Sequence, residues 1–115
     1  MPNKKYERGR AFEYMVKKKL EEHGWTVIRA AGSHGWADLV AWKPASPTYI
    51  IQCKSYAVQP HELREYEEQV SLFDIGDPCQ KRIYMVVERP KRGVWKVWYI
   101  SRDGTWVQTD FDNVF

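Results

Sequence analysis

Hydrophobic positions near the start of the chain repeat with the period of an α-helix. Phe12, Val16 and Leu20 recur every four residues and Gly24 supplies a stop, which predicts a helix over residues 4–23. At about 100° per residue these apolar side chains share one face, and Glu13 lies at the edge of that face. An acidic residue there is unusual, so this helix carries a first candidate for chemistry.

The next part of the chain alternates β-forming runs with turns. Residues 25–30, 36–42 and 49–54 are predicted strands, and a simple hairpin would make the third antiparallel to the second. Pro60 then opens a second helix that Gly76 ends. The apolar stripe of this helix is Leu63, Tyr66, Val70 and Phe73.

Three further strands are predicted over residues 82–88, 94–100 and 105–108, with a basic turn at 89–93 after the first. The strand over 82–88 has a continuous apolar run, so we expect it to be central in the sheet. The order α-β-β-β-α-β-β-β predicts an α/β fold, a mixed β-sheet flanked by helices. A length of 115 residues fits a single domain spanning 1–115.

Composition excludes several classes of protein. Hydrophobic residues make up 43% and charged residues 29%, which is the mixture of a folded globule and not of a disordered tail. No apolar run is long enough for a membrane span, and no apolar segment follows the basic N-terminus as in a secretory signal. The two cysteines and three histidines show no metal-ligand spacing, so we expect a reduced, intracellular protein without structural zinc.

Charge is segregated along the chain although the net charge is only +3. Residues 1–20 hold seven basic and two acidic side chains, and residues 81–102 hold seven basic side chains and one acid. Six acids are concentrated in residues 62–77. This distribution predicts basic faces with a separate acidic one.

Polar residues interrupt two of the apolar strands at neighbouring places. Asp38 lies in the second predicted strand, and Gln52 and Lys54 lie in the third, where alternate residues point to the same face. Glu13 can reach them if the first helix lies across the sheet. Two carboxylates, an amide oxygen and an ammonium group are what metal-assisted phosphodiester hydrolysis requires, with Mg²⁺ (or Mn²⁺ in its place) held by hard oxygen ligands.

Each of these residues also has a simpler interpretation. Asp38 fits a turn or an edge strand, and a lone Lys54 fits a strand end whose ammonium reaches water. Glu13 fits an i, i+4 ion pair with Lys17, and Gln52 fits an exposed edge position. Taken together the simpler accounts lose weight, since all four would have to interrupt apolar patterns in one corner by chance.

The residues around this set carry a resemblance to a known family. Glu13, the stretch Val-Ile-Arg-Ala-Ala-Gly-Ser-His-Gly over 27–35, Ala-Asp-Leu-Val-Ala over 37–41 and Ile-Gln-Cys-Lys over 51–54 resemble archaeal-type Holliday junction resolvases. These belong to the restriction-endonuclease-like, PD-(D/E)xK, nuclease superfamily. The resemblance covers roughly three-quarters of the chain, and does not distinguish a cellular member from a viral or phage one.

The resemblance implies a homodimer that binds four-way DNA junctions and nicks two opposed strands with Mg²⁺. Glu13 then matches the helix-borne acid, Asp38 the metal-binding aspartate and Lys54 the catalytic lysine. Arg29 and Ser33 match loop residues near the scissile phosphate, with Ser33 included in the catalytic set. The metal ligands implied are Glu13, Asp38, Gln52 and the backbone carbonyl of Cys53.

The sequence departs from the superfamily pattern at two positions. Gln52 occupies the place of the usual second acid, and Ala37 replaces the proline before Asp38. An amide oxygen can still bind a metal but carries no charge, so we expect weaker metal affinity.

The basic segments predict DNA contacts that read no base sequence. The residues assigned to phosphate binding are Lys4, Lys5, Arg8, Arg10, Arg29, Ser33, His34, Lys81 and Arg82, with the turn at 89–92 as a further contact. For Lys81, Arg82 and the turn at 89–92, the alternative is solvated surface charge. For His34, the alternative is an ordinary loop histidine.

These observations favour a Mg²⁺-dependent, structure-selective DNA endonuclease that resolves four-way junctions. Two alternatives remain at this point. One is another PD-(D/E)xK nuclease of restriction or repair type, which the short chain disfavours because it leaves no room for a reading domain. The other is a non-catalytic protein that binds junction DNA, for which Gln52 is the main support. Neither a membrane nor a small-molecule cofactor is expected.

Overall fold

Six strands and three helices make up the described part of the chain. The computed structural model describes residues 4–30, 37–73, 82–101 and 104–115. The elements are α1 (Lys4–Glu22), β1 (Thr26–Arg29), β2 (Leu39–Trp42), β3 (Thr48–Lys54), α2 (Pro60–Phe73), β4 (Arg82–Lys91), β5 (Val94–Ile100), β6 (Trp106–Asp110) and α3 (Phe111–Val114). The predicted α/β order is confirmed, with α3 added at its end.

The strands form one mixed sheet in the order β1-β2-β3-β4-β5-β6. β3 and β4 are parallel, and α2 lies between them in the chain. The other neighbouring pairs are antiparallel, including β2 with β3 as the hairpin predicted. β4 has a partner on each side, which confirms its predicted central position.

α1 forms where the apolar period predicted it and packs on one face of the sheet. Phe12, Val16 and Leu20 are completely buried there, in a core that includes Ile51 and Val87. Gly24 follows the helix with φ of 89°, a left-handed conformation that glycine adopts without strain. This end lets the chain turn directly into β1. None of the described helices has the length and apolar character needed to cross a bilayer.

The opposite face of the sheet carries a smaller core and one buried acid. Leu63 and Tyr66 of α2 pack there with Val58 and Val86. Glu88 is the only charged side chain that is buried among the described residues.

Three donors from separate parts of the chain satisfy the Glu88 carboxylate. The backbone N–H of Val58 donates to it at 2.5 Å, Trp98 Nε1 at 2.9 Å and Gln108 Nε2 at 2.6 Å. Buried carboxylates are costly without such partners. Glu88 therefore ties the segment after β3 to the three C-terminal strands.

The structure differs from the sequence prediction at three element ends. β4 continues to Lys91, with an irregular register between Glu88 and Lys91, so part of the predicted basic turn is strand. The assigned β2 begins only at Leu39, although Asp38 already donates its N–H to the Ile51 carbonyl at 2.8 Å. β6 runs on to Asp110 and leads directly into α3.

The short helix α3 was not predicted because four residues carry too little periodicity. Phe111 is 2% exposed, and its ring lies 5.3 Å from that of Trp95 and 4.7 Å from that of Phe115, between ring centroids. Trp25 and Tyr49 complete the aromatic cluster. Tertiary packing of these rings, and not helix propensity, stabilises α3.

We expect Phe111→Ala to lower the free energy of unfolding by about 3 kcal/mol, because it empties a fully packed aromatic site. Urea unfolding followed by circular dichroism measures this change. The control is Asp112→Ala in the same helix, an exposed position that should change stability by less than about 0.5 kcal/mol. Equal stability of the two variants would show that α3 does not close the core.

Candidate active site

The four polar residues singled out in the sequence line one pocket of about 220 Å³. Glu13 comes from α1, Asp38 from the start of β2, and Gln52 and Lys54 from the end of β3. The pairing of Leu39 with Ile51 brings Asp38 opposite Gln52 in the sheet. We call this the acidic pocket; Gly9, Arg10, Arg29, Cys53, Ser55 and Tyr56 complete its wall.

Asp38 is held by the backbone of β3 and is partly removed from water. The Cys53 N–H donates to Asp38 Oδ2 at 2.8 Å. Burial, together with a smaller effect of the neighbouring Glu13 carboxyl within hydrogen-bonding contact, raises the pKa of Asp38 to about 6. A partly desolvated carboxyl beside a second carboxyl is a site that a cation would stabilise. The edge-strand interpretation of Asp38 is wrong, because the strand that follows it, β2, lies between β1 and β3.

Glu13 pairs with Arg29 and not with Lys17. Arg29 Nε donates to Glu13 Oε2 at 2.9 Å, and both side chains are mostly buried. Lys17 instead pairs with Glu21 at 3.0 Å, so the simple i, i+4 interpretation of Glu13 is wrong. The ion pair holds the Glu13 carboxylate towards β2 and β3.

Gln52 lies in the interior of the sheet, between β2 and β4, and is not an exposed edge residue. Its Oε1 atom is buried and has no hydrogen-bond partner. Such orphaned polar atoms are rare in proteins and call for an explanation, of which an ion is one. Gln52 lines the same pocket as Asp38, the residue opposite it in the sheet.

The residues of the acidic pocket fit a divalent cation. Glu13, Asp38 and Gln52 offer two carboxylates and an amide oxygen, the hard donors that Mg²⁺ prefers. No group of three or more His, Cys, Asp or Glu side chains suited to a metal occurs in the described ranges, because the third donor here is an amide. The Cys53 thiol is buried in the core, and this burial raises its pKa well above the usual value.

Lys54 reaches the pocket between two tyrosine rings. Its Nζ lies 5.9 Å from the ring centroid of Tyr56 and 5.8 Å from that of Tyr66. Cation–π contacts of this kind restrict the ammonium group without neutralising it. Sequence reasoning missed both tyrosines as neighbours of the site. The i, i+2 spacing of Lys54 and Tyr56 is a signal for the first, whereas the position of Tyr66 depends on the docking of α2.

A second and larger cleft, of about 860 Å³, adjoins the acidic pocket. Its cations are Arg8 of α1 with Arg89, Lys91 and Arg92 from the β4–β5 hairpin, and Ser55, Tyr56 and Pro90 complete the wall. Ser55 and Tyr56 belong to both walls, so the two depressions are continuous. We call this the basic cleft. It brings together the N-terminal helix and the turn at 89–92, two basic segments that the sequence predicted as separate DNA contacts.

The other residues assigned to phosphate binding have mixed outcomes. Arg10 and Arg29 line the acidic pocket. Only the backbones of Lys4, Lys5 and Arg82 belong to the described structure, in α1 and β4. Ser33, His34 and Lys81 lie outside the described residues.

We expect Asp38→Asn to stabilise the metal-free protein by about 1 kcal/mol at pH 7.5, after allowance for screening by solvent. At that pH the Asp38 carboxylate is charged in the folded and the unfolded chain, but only folding desolvates it beside Glu13. We also expect Mg²⁺ to raise the Tm of the unmodified protein, and the same variant should lose most of that rise. Differential scanning calorimetry in EDTA and in Mg²⁺ measures both effects.

The control for this experiment is Asp112→Asn, an exposed carboxylate on α3 that should leave both values unchanged. A lower Tm for Asp38→Asn in EDTA, or an undiminished shift with Mg²⁺, would contradict this account of the pocket.

The known proteins that this chain resembles are described as Holliday junction resolvases. The family model described as archaeal Holliday junction resolvase (Hjc) matches residues 4–102. A curated relative, the crossover junction endodeoxyribonuclease Hjc of Methanocaldococcus jannaschii, is 43% identical over 51 residues, which is 44% of this chain and only 37% of that relative. The fold is similar to that of Archaeoglobus fulgidus Hjc, with a TM-score of 0.58 at 21% identity, covering 90% of this chain and 89% of that one. The match over residues 4–102 shows that this chain belongs to the archaeal Holliday junction resolvase family.

Proposed function

We propose that this protein is an endodeoxyribonuclease that cuts four-way DNA junctions by metal-assisted hydrolysis of phosphodiester bonds. One observation carries the proposal: two carboxylates and an unpartnered amide oxygen meet beside a lysine, at the end of a cleft lined by four cations. The acidic pocket supplies donors for a metal, and the basic cleft supplies a path for the charged DNA backbone. A DNA substrate also implies an intracellular site of action.

Glu13, Asp38 and Gln52 would hold the cation, together with the backbone carbonyl of Cys53. When bound there, Mg²⁺ (or Mn²⁺) supplies Lewis-acid polarisation of the phosphate and activation of water. The Cys53 N–H and Arg29 orient the Asp38 and Glu13 carboxylates towards this position. The chain thus arranges its ligands before the metal and DNA arrive, which lowers the cost of organising them.

Lys54 is suited to the charge that develops on the phosphate during hydrolysis. Its ammonium group, confined between Tyr56 and Tyr66, can donate hydrogen bonds to a non-bridging oxygen or to the attacking water. We assign Ser33 and His34 to contacts with DNA near the scissile phosphate, as the family resemblance implies. Arg10 and Arg29 add positive charge at the same end of the site.

The basic cleft recognises backbone and not base sequence. Arg8, Arg89, Lys91 and Arg92 line it, and guanidinium and ammonium groups pair with phosphates regardless of sequence. We assign Lys4, Lys5, Lys81 and Arg82 to the outer part of this contact. Such recognition suits a substrate that is distinguished by shape.

Two equivalent cuts in a four-way junction require two active sites related by symmetry. One chain carries a single acidic pocket in its described part, so paired nicks on opposed strands need a second copy. We therefore propose that the working form is a homodimer.

The decisive measurement is cleavage of a synthetic four-way junction with and without Mg²⁺. We expect paired nicks in the junction in Mg²⁺, no cutting of a linear duplex with the same arm sequences, and no cutting in EDTA. Asp38→Asn should reduce the cleavage rate by at least about 10³-fold while junction binding persists, because it removes a ligand carboxylate and leaves the basic cleft intact.

Other outcomes of this assay separate the alternatives. Equal cutting of junction and duplex would indicate another nuclease of the same superfamily. Junction binding without cleavage in Mg²⁺ or Mn²⁺ would indicate a non-catalytic DNA-binding protein and overturn the proposed activity.

Gln52→Glu tests whether the orphaned amide oxygen is a metal ligand. Because it adds a third carboxylate to the acidic pocket, we expect it to lower the Tm in EDTA and to lower the Mg²⁺ concentration for half-maximal cleavage by roughly tenfold. Gln69→Glu is the control, since it adds the same charge at an exposed position of α2. An unchanged Mg²⁺ requirement in Gln52→Glu would exclude this side chain from the ligand set.

A further inference from the structure

Tyr56 stands at the boundary between the acidic pocket and the basic cleft. It belongs to the walls of both, and 47% of its surface is exposed. Large apolar side chains with this much exposure are few among the described residues, and Tyr56 is the one that lines either depression. An exposed aromatic ring among cations is a common platform for a nucleic-acid base.

The segment that carries Tyr56 is held at both ends. The Tyr56 hydroxyl donates to Glu62 Oε2 at 3.1 Å, and β3 ends two residues earlier at Lys54. Two residues later, the Val58 N–H donates to the buried Glu88 carboxylate. The ring is therefore positioned before DNA binds, so little conformational entropy is lost when a base contacts it.

The two neighbouring depressions define what part of the DNA meets this ring. With the scissile phosphate in the acidic pocket and adjoining phosphates in the basic cleft, the nucleotides between them pass Tyr56. In a continuous duplex both faces of every base pair are covered by stacked neighbours. At a branch point the stack is interrupted, and the face of a base pair becomes accessible.

We propose that Tyr56 stacks on the base pair exposed at the branch point and thereby distinguishes branched DNA from continuous duplex. The inference rests on the proposed function, because it names how the same site selects its substrate. Stacking tolerates every base, so this selection needs no sequence preference. The affinity for the DNA backbone itself comes from Arg8, Arg89, Lys91 and Arg92.

The test compares Tyr56→Leu with Tyr56→Phe and Tyr56→Trp. Leucine keeps apolar bulk but has no aromatic face, phenylalanine keeps the ring and loses the bond to Glu62, and tryptophan enlarges the ring. Dissociation constants are measured in EDTA, so that no DNA is cut, for a four-way junction and a linear duplex of the same arm sequence. Circular dichroism confirms that each variant is folded.

We expect Tyr56→Leu to weaken junction binding on the order of tenfold and to leave duplex binding unchanged. The Phe and Trp variants should keep the preference for the junction, which also shows that the position tolerates substitution. A 2-aminopurine base at the branch point should be quenched on binding to the unmodified protein and less so by Tyr56→Leu.

Three results would overturn the inference, and they can be told apart. If the unmodified protein binds junction and duplex equally, there is no binding preference for the ring to supply and the inference fails, while the cleavage assay decides separately on the proposed function. If that protein prefers the junction and Tyr56→Leu keeps the full preference, stacking fails while the proposed function stands. If Tyr56→Leu keeps the preference but, in a separate assay with Mg²⁺, cuts saturating junction more slowly, the ring positions Lys54 instead of contacting a base.

Discussion

Backbone hydrogen bonds on both sides of β3 hold the groups of the acidic pocket in place. β3 is antiparallel to β2 and parallel to β4, and in it Gln52 and Lys54 alternate with the buried side chains of Ile51 and Cys53. A slip of one residue would move Gln52 and Lys54 to the other face and expose the apolar pair. The hydrophobic core on the α1 side thus determines the register of β3. That register in turn determines which side chains of β3 line the acidic pocket.

The acidic pocket brings together polar groups whose proximity does not favour folding. Asp38 is desolvated beside Glu13, and the buried Gln52 Oε1 has no partner. Desolvation of a carboxyl and an unpartnered amide oxygen each cost stability, whereas the Arg29–Glu13 pair and the Cys53 N–H act in the opposite direction. Local destabilisation of this kind is common at functional sites. A ligand that relieves an unfavourable arrangement gains more binding free energy than one that binds a site already relaxed without it.

Glu88 shows a second use of a buried carboxylate, with the opposite electrostatic design. Its oxygens accept hydrogen bonds from three neutral N–H groups, those of Val58, Trp98 and Gln108. The contact holds the segment after Lys54 against the C-terminal strands. Asp38 is available to a ligand whereas Glu88 is committed to the fold, and the number of donors around each acid makes the difference.

Local patterns in the sequence predicted the elements and most of the acidic pocket. The helical period of hydrophobic residues predicted α1 and α2, and alternating hydrophobic residues between turns predicted the strands. Interruptions of those patterns identified Asp38, Gln52 and Lys54. Polar side chains inside apolar strands can be recognised in the amino-acid sequence because they interrupt a regular hydrophobic pattern. The resemblance in the loop and strand around Asp38 added the family, which the match over residues 4–102 then confirmed.

Contacts between distant parts of the chain were decided only by the tertiary structure. These include the partner of Glu13, the compensation of Glu88, the docking of α3 through Phe111, and the meeting of Arg8 with the β4–β5 hairpin in the basic cleft. None of them follows from propensity or periodicity, because each depends on how sheet and helices pack. The sequence by itself determined which residues are suited to the chemistry, and the packing determined which of them meet.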